Sequence, residues 1–224
     1  MRRVITVDGP AASGKSTVAR KLAQGLGFQY INSGAFYRTM ALALARLSVR
    51  LDDQSAVERA LDGVTVEVST EEERTFLNGE DVTEEIRTKE VSDHASRVAR
   101  LPVVRARVNA QLRRIASSAD CVIDGRDIGS AVFPHADFKL YLEASLEERS
   151  RRRLLDYERA GRKARLEDIQ SELAARDAAD STRAVAPLQQ PEGATVINST
   201  GHSVDQVVSS LMSMARAAFT PNPK

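Results

Sequence analysis

Tryptophan is absent, cysteine occurs once, histidine three times, and aromatic residues together make up 4% of the 224-residue chain. A lone Cys121 cannot close an internal disulfide, which fits a reducing cytoplasm. It lies in the apolar run "CVID" and reads as buried core rather than as a nucleophile. His94, His135 and His202 are scattered and form no catalytic or metal-binding cluster. A formal net charge of +1 leaves no global basic field, and so few aromatics offer no stacking platform for single-stranded nucleic acid. No apolar run approaches membrane-spanning length. The start "MRRVITVDG" enters a core strand directly, so no signal peptide is expected. A guanine-reading N-K-x-D run is also missing, which argues against a GTPase switch.

What the chain does have begins at once. Apolar residues form 42% and charged residues 28% of it, enough to bury a core. Val7 to Thr17 read "VDGPAASGKST", meeting the pattern G-x-x-x-x-G-K-[ST] with Gly9, Gly14, Lys15 and Ser16. A short β-branched run precedes this loop, and a helical spacing of Val18, Leu22, Ala23 and Leu26, closed by Gly27, follows it. Across Gly9, Pro10, Ala11, Ala12, Ser13, Gly14, Lys15, Ser16 and Thr17, small residues let backbone amides approach a phosphate chain at a helix N-terminus. In such a loop Lys15 reaches the β- and γ-phosphates and Ser16 ligates Mg²⁺, so a nucleoside triphosphate is the expected ligand.

Five segments read as buried parallel strands: 4–8, 28–32, 121–124, 138–143 and 194–198. Helical patterns at 35–47, 103–117, 145–156, 166–179 and 204–218 alternate with them, predicting an α/β fold with helices on both faces of the sheet. The tail "TPNPK" reads as frayed. Between Gly63 and Ile86 the alternation of "VTVEVS", "RTFLNGEDV" and "TEEIR", with an Asn78-Gly79 turn, predicts an inserted antiparallel sheet. That insert is either a second-substrate lobe or a plain hairpin.

Several polar residues fall at carboxyl ends of strands, where open parallel sheets bind ligands. Ser33 and Gly34 follow the second strand and suit either a substrate or a helix N-cap. Arg38, placed three residues into the next helix, makes sense beside an anion. In "VIDGRDIG", Asp124 ends an apolar run as a metal-facing acid does, and Arg126 with Asp127 form either an ion pair or a substrate contact. Asp180 and Arg183 are three apart, so one helical face presents both. Arginines 149, 151, 152, 153, 159, 162 and 165 surround a glycine-containing stretch, as a solvated face or a mobile lid.

These stretches, with "NGEDVTEEIRTKEVSDHASRVARLPVVR", "DGRDIGSAVFPHADFKLYLEAS" and "RDAADSTRAVAPL", make the chain resemble the bacterial cytidylate kinases along essentially its whole length. The first motif marks only a P-loop; "SGAFYR", "DGRDIG" and "RAVAPL" in this order are more specific. The resemblance implies a P-loop NTPase fold with a five-stranded parallel sheet and ATP-dependent phosphorylation of CMP and dCMP. It divides a single kinase unit into a core (1–62, 101–155, 180–219), an acceptor-binding insert (63–100) and a lid (156–179). It implies that Ser33, Arg105 and Asp127 meet the cytosine and that Ser96 and Tyr37 shape its pocket, beside Gly34. Asp180 and Arg183 then meet the ribose, Arg38 and Arg126 the phosphate, and Arg176 the transferring phosphoryl group. Mg²⁺ with ATP, a cytoplasmic monomer, and no nucleic-acid or membrane partner complete the expectation. Another small-molecule or nucleoside monophosphate kinase, acting on UMP or AMP, is the alternative.

Overall fold

The computed structural model describes residues 2–69, 74–159 and 161–219. They fall into two compact units, the first made of the chain up to Tyr30 and from Ala119 onward, the second of Ile31–Ser118.

In the first unit, strand β1 (Val4–Asp8) is buried at all five residues and leads through the glycine loop into helix α1 (Lys15–Leu26). Gly27 closes α1 in the left-handed conformation, its amide bonded to the last-turn carbonyls. Strand β2 (Gln29–Asn32) follows, and Phe28, expected within it, lies just outside. After the second unit the chain returns through strands β6 (Cys121–Asp124) and β7 (Phe138–Glu143). Helices α6 (Leu146–Arg159) and α7 (Leu166–Thr182), strand β8 (Thr195–Asn198) and helix α8 (Val204–Phe219) complete it. The parallel sheet runs β2-β6-β1-β7-β8, with β1 between β6 and β7 in a register that sets Val7 beside Asp124 and Asp8 beside Tyr141.

Strand alternation divides β1 between two environments. Ile5 and Val7 join Val18, Leu22, Val122, Leu142, Val207 and Leu211 in a core shared with α1 and α8. Thr6 and Asp8 point to the other face, toward Gly129 and Pro191. Burial on both faces explains why β1 and β6 read as nearly continuous apolar runs. It also pushes the Cys121 thiol up to about 12, so this residue is core and no nucleophile.

The second unit holds helices α2 (Ser33–Arg46) and α3 (Gln54–Asp62) and the strands β3 (Val66–Val68), β4 (Thr75–Leu77) and β5 (Glu80–Asp81). Helices α4 (Lys89–Val98) and α5 (Pro102–Ser118) follow, the latter opened by a proline suited to a first helical position. The three strands form the expected antiparallel sheet, and Asn78 and Gly79, with φ of 51° and 83°, make the tight β4–β5 turn. Leu77 and Val82 pack under Ala35, Leu42 and Ala43 of α2. "TEEIR" is no strand: Glu85–Arg87 form a helical turn that buries Ile86 alone.

Two helices outrun their expected ends. Helix α6 continues to Arg159, so Tyr157, Glu158 and Arg159 are helical rather than part of the glycine stretch, in which Gly161 has a φ of 68°. Helix α7 continues to Thr182 and therefore carries Asp180. The tail 220–224 lies outside the described residues.

Gly9 shows why the loop needs glycine where it does. Its φ is 147°, and a Cβ there would sit 2.0 Å from the Leu142 carbonyl oxygen of β7. A Gly9→Ala variant must part β1 from β7, and a loss of about 4 kcal/mol or more in urea unfolding is expected. A loss under about 1 kcal/mol would contradict the close approach.

Candidate active site

The phosphate loop is held from outside through its carbonyls. Lys15 Nζ donates to the Pro10 carbonyl at 2.6 Å and lies 3.4 Å from Ser13 Oγ. Arg149 Nη1 donates to the Ala11 carbonyl at 3.1 Å, and Arg152 Nη1 and Ser199 Oγ both donate to the Ser13 carbonyl at 3.3 Å. In a planar trans peptide the N–H points opposite to the C=O. The Ala12 and Gly14 amides are therefore turned away from Arg149, Arg152 and Ser199, as an anion-binding loop requires. Gly14 at φ 90° caps α1, whose first turn contains no acidic side chain to oppose an incoming phosphate. Thr17 lies exposed behind the loop.

Burial pushes the Lys15 ammonium well below its ordinary pKa, helped by the nearby guanidiniums of Arg126 and Arg176 and opposed by Asp124 and Asp8. The structure thus brings together three basic residues that the sequence supplies from three separate segments. Ser16 Oγ donates to Asp124 Oδ2 at 2.6 Å, and Tyr30 OH donates to Asp124 Oδ1 at 3.0 Å.

The segment after β6 is a network of carboxylates and guanidiniums. Arg126 Nε donates to Asp180 Oδ2 at 3.0 Å. Arg183 Nη2 donates to Asp127 Oδ1 at 2.8 Å, with both side chains only 5% exposed. Asp180 and Arg183 therefore do not share a helical face. Arg183 lies past the end of α7 in extended backbone, its Nε bonded to the Ala186 carbonyl at 2.6 Å, and each residue finds a different partner. Asp127 enters a five-residue π-type turn, Ile128–Val132, whose first two amides are bound by Asp8.

In the second unit, Asn32 rather than Ser33 or Gly34 caps α2, its side chain accepting from the Ala35 amide at 3.0 Å. Ser33 and Gly34 are the first helical residues and Ser33 is buried. Arg38 consequently lies deeper in α2 than expected. Its side chain nevertheless runs back toward the N-terminus, where Nη1 would meet a Gly34 Cβ at 2.9 Å. Arg105 is buried in α5, donating to the Ala99 carbonyl at 3.3 Å with its guanidinium 5.7 Å from the Tyr37 ring centre. Ser96, half-buried on α4, donates to the Ser92 carbonyl at 3.5 Å.

The arginine-rich stretch divides in two. Arg151 pairs with Glu147 on an exposed helical face, and Arg153 lies over Tyr157. Arg149 is buried, bonded to Asp177 Oδ2 at 2.5 Å, while Asp177 Oδ1 accepts the Ala11 amide at 3.3 Å. Asp8, Tyr30, Asp177 and Ser199 were not among the expected site residues, and Arg149 and Arg152 were expected only within a solvated face or a mobile lid. Only Asp8 carries a clear signal, an acid closing an otherwise apolar strand directly before the loop.

Comparison with known proteins matches residues 5–217 to the sequence profile of the family described as Cytidylate kinase. A cytidylate kinase of Caldanaerobacter subterraneus is 44% identical over 204 residues, 91% of this chain and 90% of that one. One from Thermotoga petrophila is 42% identical over 213 residues, covering 95% and 96%. Among solved structures, a gluconokinase from Sinorhizobium meliloti aligns with a TM-score of 0.50 at 14% identity, covering 97% of this chain and 95% of that one. An uncharacterized protein from Eubacterium ventriosum aligns with a TM-score of 0.53 at 12% identity, covering 96% and 99%. These two share the fold alone.

Asp8 is fully buried, and desolvation raises its carboxyl from 3.8 to about 6, against the opposing pull of the two amides. The folded protein thus binds more protons than the unfolded chain between these values, and stability falls as pH rises through the window. The full effect is about 3 kcal/mol, with roughly half of it between pH 5 and 7.5. Urea unfolding across that range should show this slope in the wild type relative to Asp8→Asn. Parallel curves would mean that Asp8 does not titrate there.

Proposed function

The chain belongs to the cytidylate kinase family, and we propose on that premise that it transfers the γ-phosphoryl group of ATP to CMP and dCMP. The observation that carries the reading is the gathering of Lys15, Arg126 and Arg176 beside a phosphate loop. Phosphoryl transfer between two anions is chiefly a matter of charge neutralisation and alignment. The acceptor phosphate is ionised near neutral pH, so no strong general base is needed.

In this reading the loop from Gly9 to Thr17 cradles the ATP phosphates, and Lys15 and Arg176 neutralise the transferring group. Arg126 and Arg38 hold the acceptor phosphate, and Asp180 and Arg183 hold the ribose. Asp127, Arg105 and Ser33 read the cytosine, with Tyr37, Gly34 and Ser96 forming its surroundings. The network among Arg126, Asp180, Asp127 and Arg183 supports it, since guanidiniums fixed by carboxylates need little ordering when substrate arrives.

The Ser16 hydroxyl and the Asp124 carboxylate, 2.6 Å apart, form a hard-oxygen pair that suits Mg²⁺. Among the described residues no group of three or more His, Cys, Asp or Glu is poised to hold a metal. That fits an ion held mainly by phosphate and water, which when bound would offset charge on the β- and γ-phosphates. Residues 63–100 act as the acceptor lobe and 156–179 as a lid that excludes water, the competing acceptor. Our reading is of a cytoplasmic monomer; no helix among the described residues is long and apolar enough to cross a membrane.

Lys15→Ala should lower turnover by hundreds- to thousands-fold, about 3–5 kcal/mol of transition-state stabilisation, with the fold retained. Coupled ADP release within tenfold of wild type would contradict this role.

Base choice gives a second test. Cytosine presents an amino donor at C4 where uracil presents a carbonyl, which a carboxylate repels. Asp127→Asn keeps an acceptor for Arg183, whose buried charge Asp127→Ala would strand. The Asn variant should raise KM for CMP much more than for ATP and narrow the CMP/UMP ratio. Arg38→Ala should harm both pyrimidine acceptors alike. An unchanged ratio in Asp127→Asn would remove Asp127 from base reading.

A further inference from the structure

Asp8 is a carboxylate at the heart of the fold that none of the roles above employs. It is fully buried, and among the described residues it makes no ion pair. Its two oxygens serve two different amides: Oδ1 accepts from Ile128 at 2.8 Å and Oδ2 from Gly129 at 2.7 Å, about 120 positions along the chain. Those amides open the turn that follows Arg126 and Asp127, and the same turn is closed by Ala131 and Val132 donating to the Asp127 carbonyl. The approach is tight. A Cβ on Gly129 would lie 2.6 Å from Thr6 Oγ1, 3.1 Å from Pro191 Cγ and 3.2 Å from Asp8 Oδ2.

An isolated buried carboxylate is unfavourable unless it is well hydrogen-bonded, so its chemistry matters. Two adjacent N–H donors need two acceptors on one short side chain. Asn offers one acceptor and sets an NH₂ against the second donor, and Glu is a methylene too long. Asp8 is also the residue immediately before Gly9, so its carboxylate ties the turn to the strand from which the phosphate loop springs.

We propose that Asp8 is a positioning residue for the acceptor. Through the Ile128 and Gly129 amides it fixes the turn that carries Arg126 and Asp127, and so sets these two side chains relative to the phosphate loop. The inference rests on the reading above that Arg126 and Asp127 hold CMP. The titratable and charged groups facing Asp8 are Asp127 on the turn, Lys15 on the loop and Tyr141 on β7.

The test compares Michaelis constants in Asp8→Asn, Gly129→Ala and Asp127→Asn. Asp8→Asn and Gly129→Ala disturb the same contact from its two ends. Both should raise KM for CMP at least tenfold while KM for ATP stays within threefold. Parallel rises in both constants would overturn the proposal and leave Asp8 a structural residue. If Asp127→Asn raises KM for CMP and Asp8→Asn does not, the positioning role alone falls. If Asp127→Asn also leaves it unchanged, the acceptor reading itself fails. Should either buried variant fail to fold, the wild type without nucleotide supplies the answer. In its amide NMR spectrum the Ile128 and Gly129 protons should shift together with one midpoint near pH 6. Two amides that follow different midpoints would rule out a shared Asp8 acceptor.

Discussion

Crowding like charges into a poorly hydrated space is the condition that the rest of this structure serves. Burial first, and then the guanidiniums of Arg126 and Arg176, hold the Lys15 ammonium well below its ordinary pKa. A chain of net charge +1 cannot hold such a cluster by excess basicity. It does so by giving guanidiniums individual carboxylates: Asp180 to Arg126, Asp127 to Arg183, Asp177 to Arg149. Helix α7 supplies most of this network, carrying Arg176, Asp177 and Asp180 and ending just before Arg183. Its position thereby contributes to the electrostatics of the phosphate loop through Arg176 and Asp177.

That division of labour explains what the sequence disclosed. The loop was legible because its constraints are local. Gly9 and Gly14 need backbone angles that few residues adopt, and strand, loop and helix follow one another without a break. Strands β1 and β6 were legible because burial on both faces leaves nearly unbroken apolar runs, and the Asn78-Gly79 turn because its two positive φ angles favour that pair. Arg126, Asp127, Asp180 and Arg183 stood out as candidates, but their pairing did not. Sequence spacing suggested a single helical face for the last two, whereas each reaches a different residue after β6.

Residues whose partners lie far along the chain were invisible. Arg149 sits in a run of arginines; unlike Arg151, which pairs with Glu147 four residues back, it has no acid at helical spacing, but that lack names no partner for it. Its burial against the Ala11 carbonyl depends on where α6 lies against the loop. Tyr30 likewise reads as one more aromatic in a strand until β2 and β6 come together. The end of α7 was misjudged for a simpler reason: Asp180 is polar yet buried, held by Arg126 from another segment.

The order of strands in the sheet also dictates an order of events at the ribosome. Strand β1 is made first, yet its partner β6 begins at Cys121 and β7 at Phe138, so β1 pairs only after more than half the chain has been synthesised. The second unit, by contrast, is one contiguous stretch, Ile31–Ser118, and its sheet closes through neighbouring segments. Local contacts form quickly and distant ones slowly. The nascent chain therefore completes the unit in its middle while the phosphate loop at its beginning still waits for strands not yet translated.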